Sequence, residues 1–209
     1  MKNTNNALII IDLQNDFCEG GSLEVGPTTG ILPIINKISK IFDKVVATQD
    51  WHPLGHVSFA TSHAGYSTFD VIDVDGVEQT LWPEHCVQGT EGAAFHDKLD
   101  LDPVDTIIRK GTERDMDSYS GFLENDNETE TGLKGYLRSL GINKIYLTGL
   151  ATDVCVLNTA LDGVKMGFET YLLEDATLGV DEPAGSVKDA LDEMEAAGVN
   201  IIKSQQLNL

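Results

Sequence analysis

The stretch KIYLTGLATDVCV, residues 144–156, decides the fold because it joins a buried strand to the start of a helix. Its first half, up to Leu150, is a short apolar, β-branched and aromatic run that predicts a strand. Thr152 and Asp153 are good N-cap residues, and apolar side chains recur at helical spacing from Cys155 to Met166. A thiol in the first helical turn lies near unpaired N–H groups and the positive end of the helix dipole, which favour the nucleophilic thiolate. The alternative is a small apolar side chain packed in the core.

Apolar runs and one-sided helical patterns alternate along the rest of the chain. Further strands are predicted at Ala7–Ile11, Lys44–Asp50, Val104–Gly111, Phe168–Asp175 and Val199–Ser204, and further helices at Ile31–Phe42, Leu133–Leu140 and Ala184–Ala197. Buried strands that alternate with helices indicate a parallel sheet covered on both faces. We therefore predict one α/β domain over residues 1–209, a three-layer α/β/α fold whose central parallel sheet has about six strands.

Two segments lack a clear period. Residues 51–98 form a long irregular stretch rich in Gly, His, Pro and Trp. Loops of that length in compact domains are usually functional, so we predict that this stretch holds a binding region for metal and substrate. Residues 124–131, ENDNETET, are acidic enough to predict a solvated loop.

The composition is that of an ordinary globular protein. No apolar run in the 209 residues approaches the roughly 20 residues of a membrane span, and the N-terminus lacks the layout of a signal peptide. These features predict a cytoplasmic protein. The net charge of −20 repels phosphates and anionic lipids, so neither nucleic acid nor a membrane is an expected partner, although the charge also fits a role in solubility alone. Cys18, Cys86 and Cys155 contain no CxxC pair, so neither a disulfide framework nor a thiolate zinc site is indicated.

Three reactive side chains stand where predicted strands end. Asp12 ends the first strand, Lys110 ends the third, and Cys155 follows the fourth. Ligands of parallel sheets bind beyond the carboxyl ends of the strands, so these groups are expected to converge. Together they form a minimum set for nucleophilic acyl transfer: a thiol, a carboxylate to take its proton, and a cation to hold both in charged form. Taken singly, the aspartate could also form a turn and the lysine could lie on the surface.

A second group combines a carboxylate with imidazoles. Asp50 ends a strand, and the DxH spacing puts Asp50 and His52 on one side of an extended segment. His85 lies in WPEHC, and His56 is close in sequence, whereas His63 is read as an ordinary surface residue. One carboxylate and two imidazoles with open positions suit zinc, iron or manganese. Histidines in loops are otherwise usually satisfied hydrogen-bonding residues.

Several motifs span nearly the whole chain, in the order ALIIIDLQNDF, TQDWHP, HVSFA, WPEHCVQGT, EGAAFH, IIRKG, SYSGF, GLATDVCV and YLLEDAT. Together and in this order they resemble those of the nicotinamidases (pyrazinamidases) of the isochorismatase-like cysteine hydrolase family. The resemblance implies metal-dependent hydrolysis of nicotinamide to nicotinate and ammonia, for NAD salvage, through a thioester on Cys155, with pyrazinamide as a further substrate. The alternative is another cysteine hydrolase of the family that acts on a different small amide or vinyl ether. DWHP and WPEHC argue against that alternative, because the metal site they imply marks the nicotinamidases.

Carried over by position, the resemblance implies a catalytic triad and a metal site. The triad is Asp12, Lys110 and Cys155, and the ligands of one divalent metal ion are Asp50, His52 and His85. Zinc is the first expectation for this ion, with iron and manganese as alternatives. His56 matches a histidine whose role varies among relatives, so it is left open as a fourth ligand or a support for the others.

The resemblance also implies how substrate is held. Phe17, Trp82 and Tyr119 match aromatic positions that line a slot for the substrate ring, although core packing is the alternative for aromatic residues. The peptide between Leu150 and Ala151 is expected to be cis, which would aim the N–H groups of Ala151 and Cys155 at the carbonyl oxygen of the substrate. The oligomeric state stays open, a homo-oligomer included.

Overall fold

The structure, a computed structural model, describes residues 5–207 and contains one central sheet of six parallel strands. The strands among the described residues are β1 (Asn6–Ile11), β2 (Val45–Asp50), β3 (Val71–Val74), β4 (Val77–Thr80), β5 (Thr106–Lys110), β6 (Lys144–Leu150), β7 (Glu169–Leu178) and β8 (Asn200–Ile202). The helices are α1 (Leu32–Ile38), α2 (Leu133–Ser139), α3 (Leu157–Lys165) and α4 (Ser186–Ala197). The central sheet has the order β5-β2-β1-β6-β7-β8, which confirms the predicted α/β fold.

The sheet separates two apolar cores, as its alternating side chains require. In β1, Ala7, Ile9 and Ile11 pack into one core with α2, α3 and α4, whereas Leu8 and Ile10 pack into the other core with α1. All five side chains are fully buried. The three-layer arrangement predicted from the sequence is therefore present. Among residues 5–207, no helix combines the length and the apolar character that crossing a bilayer requires.

The ends of several elements differ from the predicted bounds. The β7 strand continues to Leu178, beyond the predicted end at Asp175, because its pairing with β6 resumes after a shift in register between Leu147 and Gly149. Gly149 has φ +108, and a Cβ there would overlap the backbone of Ile11, so only glycine fits this bulge. The predicted helix 31–42 is α-helical only over α1, and a 3₁₀ turn, Ser39–Ile41, follows it.

The prediction that residues 51–98 are irregular was wrong for one segment. The β3 and β4 strands form an antiparallel hairpin there, and its turn is Asp75–Gly76 with φ values of +52 and +88. An Asp-Gly pair between two short alternating runs is a recognised hairpin signal, so the sequence did carry this information. Gln79 on β4 joins the hairpin to the chain after β5 by donating hydrogen bonds to Asp117 and Tyr119.

Candidate active site

The carboxyl ends of β1, β5 and β6 bring three reactive side chains together. Lys110 Nζ lies 2.9 Å from Asp12 Oδ2 and 3.4 Å from Cys155 Sγ. Asp12 and Lys110 are fully buried, and Cys155 is 6% exposed. These are the residues that the sequence singled out, and the structure places them within contact distance at one end of the sheet.

The Lys110 ammonium is surrounded by oxygen acceptors. Besides Asp12, it pairs with Asp50 Oδ1 and donates a hydrogen bond of 2.9 Å to Ser118 O. Burial alone would lower the pKa of Lys110, but the attraction of the Asp12 and Asp50 carboxylates outweighs burial and raises this pKa well above its ordinary value. Lys110 therefore carries a fixed positive charge at neutral pH.

Burial dominates the protonation of the other two groups. It raises the pKa of Asp12, although the charge of Lys110 opposes the shift and Thr48 Oγ1 donates a 2.7 Å hydrogen bond to Asp12 Oδ1. Burial also raises the pKa of the Cys155 thiol well above its ordinary value, against the opposing charge of Lys110. The expectation that the helix start holds a resting thiolate is thus not met. The arrangement is instead that of a protonated thiol beside a carboxylate that can accept its proton.

The chain around the thiol folds differently from the predicted helix start. Residues 152–156 form one π-helical turn, in which the N–H groups of Val154 and Val156 both donate to Ala151 O, and α3 begins only afterwards. The N-cap position is occupied by Ala151, and Asp153 does not cap the turn. The prediction of Thr152 and Asp153 as N-caps was wrong because the Asp153 carboxylate is engaged by another loop. The peptide between Leu150 and Ala151 is cis, as expected.

The imidazoles of His52 and His85 face one carboxylate oxygen. His52 Nε2 lies 3.3 Å and His85 Nε2 lies 3.6 Å from Asp50 Oδ2. On the far side of each ring, His52 Nδ1 is 2.9 Å from Gly111 O and His85 Nδ1 is 2.8 Å from Pro83 O. Such backbone contacts orient a metal-binding imidazole and direct its other nitrogen at the metal. The donor set of one carboxylate oxygen and two Nε2 atoms therefore fits a divalent metal ion.

Gln14 holds the backbone of Asp50 in place. Its side-chain Nε2 donates to Asp50 O at 2.7 Å, and its Oε1 accepts from Asp50 N at 2.8 Å. Because Lys110 engages Oδ1, the other carboxylate oxygen of Asp50 is left to face the two imidazoles. Sequence reasoning missed Gln14. Its position two residues after Asp12, at the carboxyl end of β1, was the available signal.

His56 does not join this set. Its ring stacks on His52 with the centroids 4.1 Å apart, while Nδ1 lies 2.7 Å from Ser58 Oγ and Nε2 lies 3.0 Å from Met116 O. Burial, together with the neighbouring His52, lowers the pKa of His56 to about 4. His52, His56 and Asp117 offer donor atoms within 4.8 Å of one another, but both nitrogens of His56 are already engaged. His56 therefore packs against a candidate ligand and supports its position.

The three aromatic residues predicted to line a ring slot share one pocket. Phe17, Trp82 and Tyr119 surround an opening that leads to Asp50, His85 and Cys155. The planes of Trp82 and Tyr119 are nearly perpendicular, with the ring centroids 6.4 Å apart. The pocket wall also includes residues that the sequence did not indicate: Leu23, Val25, Asp117, Val154 and Val180.

Of these pocket residues, Asp117 is one that its position in the sequence could have indicated. It stands two residues before Tyr119, and both side chains lie on the same wall of the pocket. Gln79, on the β4 strand of the hairpin, donates to Asp117 Oδ2 at 2.9 Å and to Tyr119 OH at 3.1 Å. The hairpin thereby fixes this wall of the pocket.

Glu124 leads to a prediction about stability. It begins the segment predicted as a solvated loop, yet the residue is only 7% exposed, and its Oε2 has no hydrogen-bond partner among the described residues. Burial raises the pKa of Glu124 from the ordinary value of 4.5 to about 7. The folded state thus binds the Glu124 proton more tightly than the unfolded state does, and this tighter binding stabilises the protein at low pH. The stabilisation is lost as the pH rises from about 4.5 to about 7.

We expect Glu124→Gln to remove this loss of stability at higher pH. Urea unfolding at about pH 5 and about pH 8 should show the variant gaining stability relative to the wild type at the higher pH. Glu128→Gln, an exposed change in the same segment, is the matched control and should leave the pH dependence unaltered. Parallel pH profiles for the wild type and Glu124→Gln would contradict the assignment.

Comparison with known proteins identifies the class to which this fold and site belong. The isochorismatase domain matches residues 6–206, so the chain belongs to that family. Within it, the chain is similar to a nicotinamidase from Acinetobacter baylyi, with 48% identity over 208 residues that cover 99% of this chain and 97% of that protein.

Two solved structures extend the similarity. The nicotinamidase and pyrazinamidase of Acinetobacter baumanii superimposes with a TM-score of 0.96, at 47% identity, with both chains covered in full (100%). The pyrazinamidase of Pyrococcus horikoshii, solved in complex with zinc, has a TM-score of 0.77 at 39% identity, covering 95% of this chain and 99% of that chain.

Proposed function

We propose that this protein is a metal-dependent cysteine amidohydrolase that converts nicotinamide to nicotinate and ammonia. The observation that carries the proposal is the joint placement of a buried thiol, a carboxylate and an ammonium beside a metal-type donor set, at the end of an aromatic pocket that Cys155, Asp50 and His85 line. The similarity to curated and solved nicotinamidases supports the same substrate. Pyrazinamide is proposed as a second substrate because two of the similar proteins are pyrazinamidases.

The metal site is proposed at Asp50, His52 and His85, and zinc is the first candidate because a similar pyrazinamidase binds it. When bound there, a divalent ion supplies an electrophilic anchor that orients the pyridine ring and withdraws electron density from it. Phe17, Trp82 and Tyr119 would hold the faces and edges of the ring. The carboxamide would then lie against the thiol.

In the proposed mechanism, Asp12 accepts the thiol proton while Cys155 Sγ attacks the amide carbon. The oxyanion that forms is stabilised by the N–H groups of Ala151 and Cys155, and each such donor is typically worth about 3 kcal/mol. Asp12 returns the proton to the departing ammonia, which leaves a thioester on Cys155. A water molecule deprotonated by Asp12 then attacks the thioester, releasing nicotinate and restoring the thiol. Lys110 stays charged and stabilises the two anionic partners throughout.

We further propose that this reaction serves NAD salvage in the cytoplasm. The three cysteines are free and buried, which suits a reducing compartment. An ammonia-release assay tests the activity directly, with nicotinamide and pyrazinamide as substrates and malonamide as a control. Isochorismate, a control that contains no nitrogen, is followed in parallel by release of pyruvate. We expect ammonia release from nicotinamide. Ammonia release from pyrazinamide as well would support the proposed second substrate. Turnover of a control substrate without turnover of nicotinamide would reassign the protein within its family.

The proposed ligands lead to a metal-binding prediction. We expect His85→Ala to lose bound metal and to raise the KM for nicotinamide. Loss of a residue that hydrogen-bonds to a metal ligand already costs roughly 10- to 100-fold in metal affinity or activity, so loss of a ligand should cost at least as much. Metal content of protein purified without chelators, measured by mass spectrometry, provides the primary readout. His63→Ala is the matched control, because His63 is an imidazole outside the donor set. Full metal content in His85→Ala would show that the ligand set is wrong.

A further inference from the structure

We propose that Asp153 is a positioning residue that sets the size of the substrate ring the enzyme accepts. It does so by holding a neighbouring segment, residues 179–186 (the wall loop, which ends at Ser186, the first residue of α4), so that Val180 closes one side of the pocket. The inference rests on the proposed amidase function, but it concerns a residue that the catalytic scheme leaves without a role. Asp153 belongs to the TDVCV motif, two residues before the nucleophile.

The Asp153 carboxylate is the anchor of the wall loop. Its Oδ1 accepts a 2.9 Å hydrogen bond from Val180 N, and its Oδ2 accepts from Asp181 N at 2.9 Å and from Ser186 Oγ at 2.5 Å. Both oxygens are therefore used, and all three donors come from the wall loop. The contacts tie that loop to the π-helical turn that carries the thiol.

Close packing leaves the wall loop little freedom at this point. Gly179 passes so near the anchor that a Cβ there would overlap Val187 and approach Asp153 Oδ1 to 2.9 Å. The next residue, Val180, lines the pocket together with Val154 and Cys155. The Asp153 carboxylate, on the turn that carries Cys155, thus fixes the position of Val180 in the wall of the pocket.

The chemistry requires a carboxylate at this position. A carboxylate accepts hydrogen bonds on both oxygens, whereas an amide of the same shape presents one acceptor and one NH₂ group. In Asp153→Asn, the NH₂ group would replace one of the two acceptor oxygens. The N–H or O–H groups that donate to that oxygen would then face another donor, and the wall loop would lose part of its anchor. Because the thiol, Asp12 and Lys110 are held by other contacts, the chemical step should be preserved.

The expected consequence is a looser ring slot. Removing apolar contact from a substrate pocket typically costs a factor of about 10 or more in discrimination between substrates that differ by one methyl group. We therefore expect Asp153→Asn to raise the KM for nicotinamide by about 10-fold with kcat within about 2-fold of wild type. The activity ratio of ring-methylated nicotinamides to nicotinamide should rise.

The test measures kcat and KM of the metal-loaded wild type and variants on nicotinamide and on nicotinamides carrying one ring methyl group at each position. Val180→Ala shortens the wall directly and should reproduce the rise in the methyl ratio, even if Asp153→Asn folds poorly. Gly179→Ala displaces the wall loop and should act in the same direction. Asp189→Asn, an exposed change on α4, is the control.

A second readout needs no turnover. The rate at which a bulky aryl maleimide alkylates Cys155, divided by the rate for iodoacetamide, should increase in Asp153→Asn and Val180→Ala. A fall in kcat at unchanged KM, or unchanged methyl and alkylation ratios in Val180→Ala, would overturn the proposal. A wild-type protein that leaves nicotinamide intact would instead refute the proposed function, and the alkylation ratios would still report on the wall.

Discussion

Replacing Cys155 with alanine is expected to abolish ammonia release from nicotinamide while the protein remains folded and metal-loaded. The expected loss in kcat is roughly 10⁴-fold or more, since removal of the nucleophile from a hydrolase triad has cost as much as about 10⁶-fold. The fold should persist because the side chain is small and none of the backbone bonds of its turn depends on sulfur. A stability loss of about 1 kcal/mol is typical for such a change.

Cys18→Ala is the matched control for this experiment. Cys18 is also a free, buried cysteine, but it packs in the core on the α1 side of the sheet. Its substitution should leave kcat close to the wild-type value. Substantial turnover by Cys155→Ala, with Cys18→Ala equally active, would refute covalent catalysis at this site.

Replacing Lys110 with methionine is expected to damage both stability and activity. The ammonium is fully buried and is the shared partner of the Asp12 and Asp50 carboxylates. Removing one member of a buried ion cluster leaves uncompensated charge and typically costs about 3–5 kcal/mol. Activity should fall by at least roughly 10²-fold, because Asp12 would lose the neighbouring charge that lowers its pKa and favours its proton-accepting form.

The pH dependence of Lys110→Met has a definite sign. The charge of Lys110 lowers the pKa of Asp12 and so opposes the upward shift caused by burial. Without Lys110, the folded state would bind a proton at Asp12 more tightly, so lowering the pH from about 7.5 to about 5.5 should recover part of the lost stability.

Urea unfolding of Lys110→Met at both pH values measures this recovery. Lys98→Met, a substitution of an exposed lysine, is the control and should change neither stability nor its pH dependence. A Lys110→Met protein as stable as the wild type at neutral pH would contradict the view that this cation holds the buried carboxylates together.

Much of the fold was predictable because its signals are local. The strands of a parallel sheet buried on both faces are continuous apolar runs, and ALIII in β1 and the KIYLTGL of β6 are of this kind. The β3–β4 hairpin also had a local signal, its Asp75–Gly76 turn, although the two strands are too short to show a clear period. The end of β7 was not predictable, because it depends on a bulge in the strand beside it.

The clustering of the site followed from topology, whereas its electrostatics did not. Side chains at the ends of neighbouring parallel strands must meet, and the sequence therefore indicated that Asp12, Lys110 and Cys155 would converge. The state of the thiol depends on how completely the surrounding chain excludes water, which one helix start does not reveal. The bonds of Asp153 likewise go to residues 27 to 33 positions away, so its spacing within TDVCV suggested a cap and not an anchor.

Acid quenching shows most directly whether Cys155 carries the acyl group during turnover. Enzyme turning over nicotinamide is quenched within milliseconds, digested, and analysed by mass spectrometry for a nicotinoyl group. We expect this group as a thioester on the peptide that contains Cys155, and we expect it to disappear once substrate is exhausted. An acyl group found on a different residue, while ammonia is released at the full rate, would contradict this expectation.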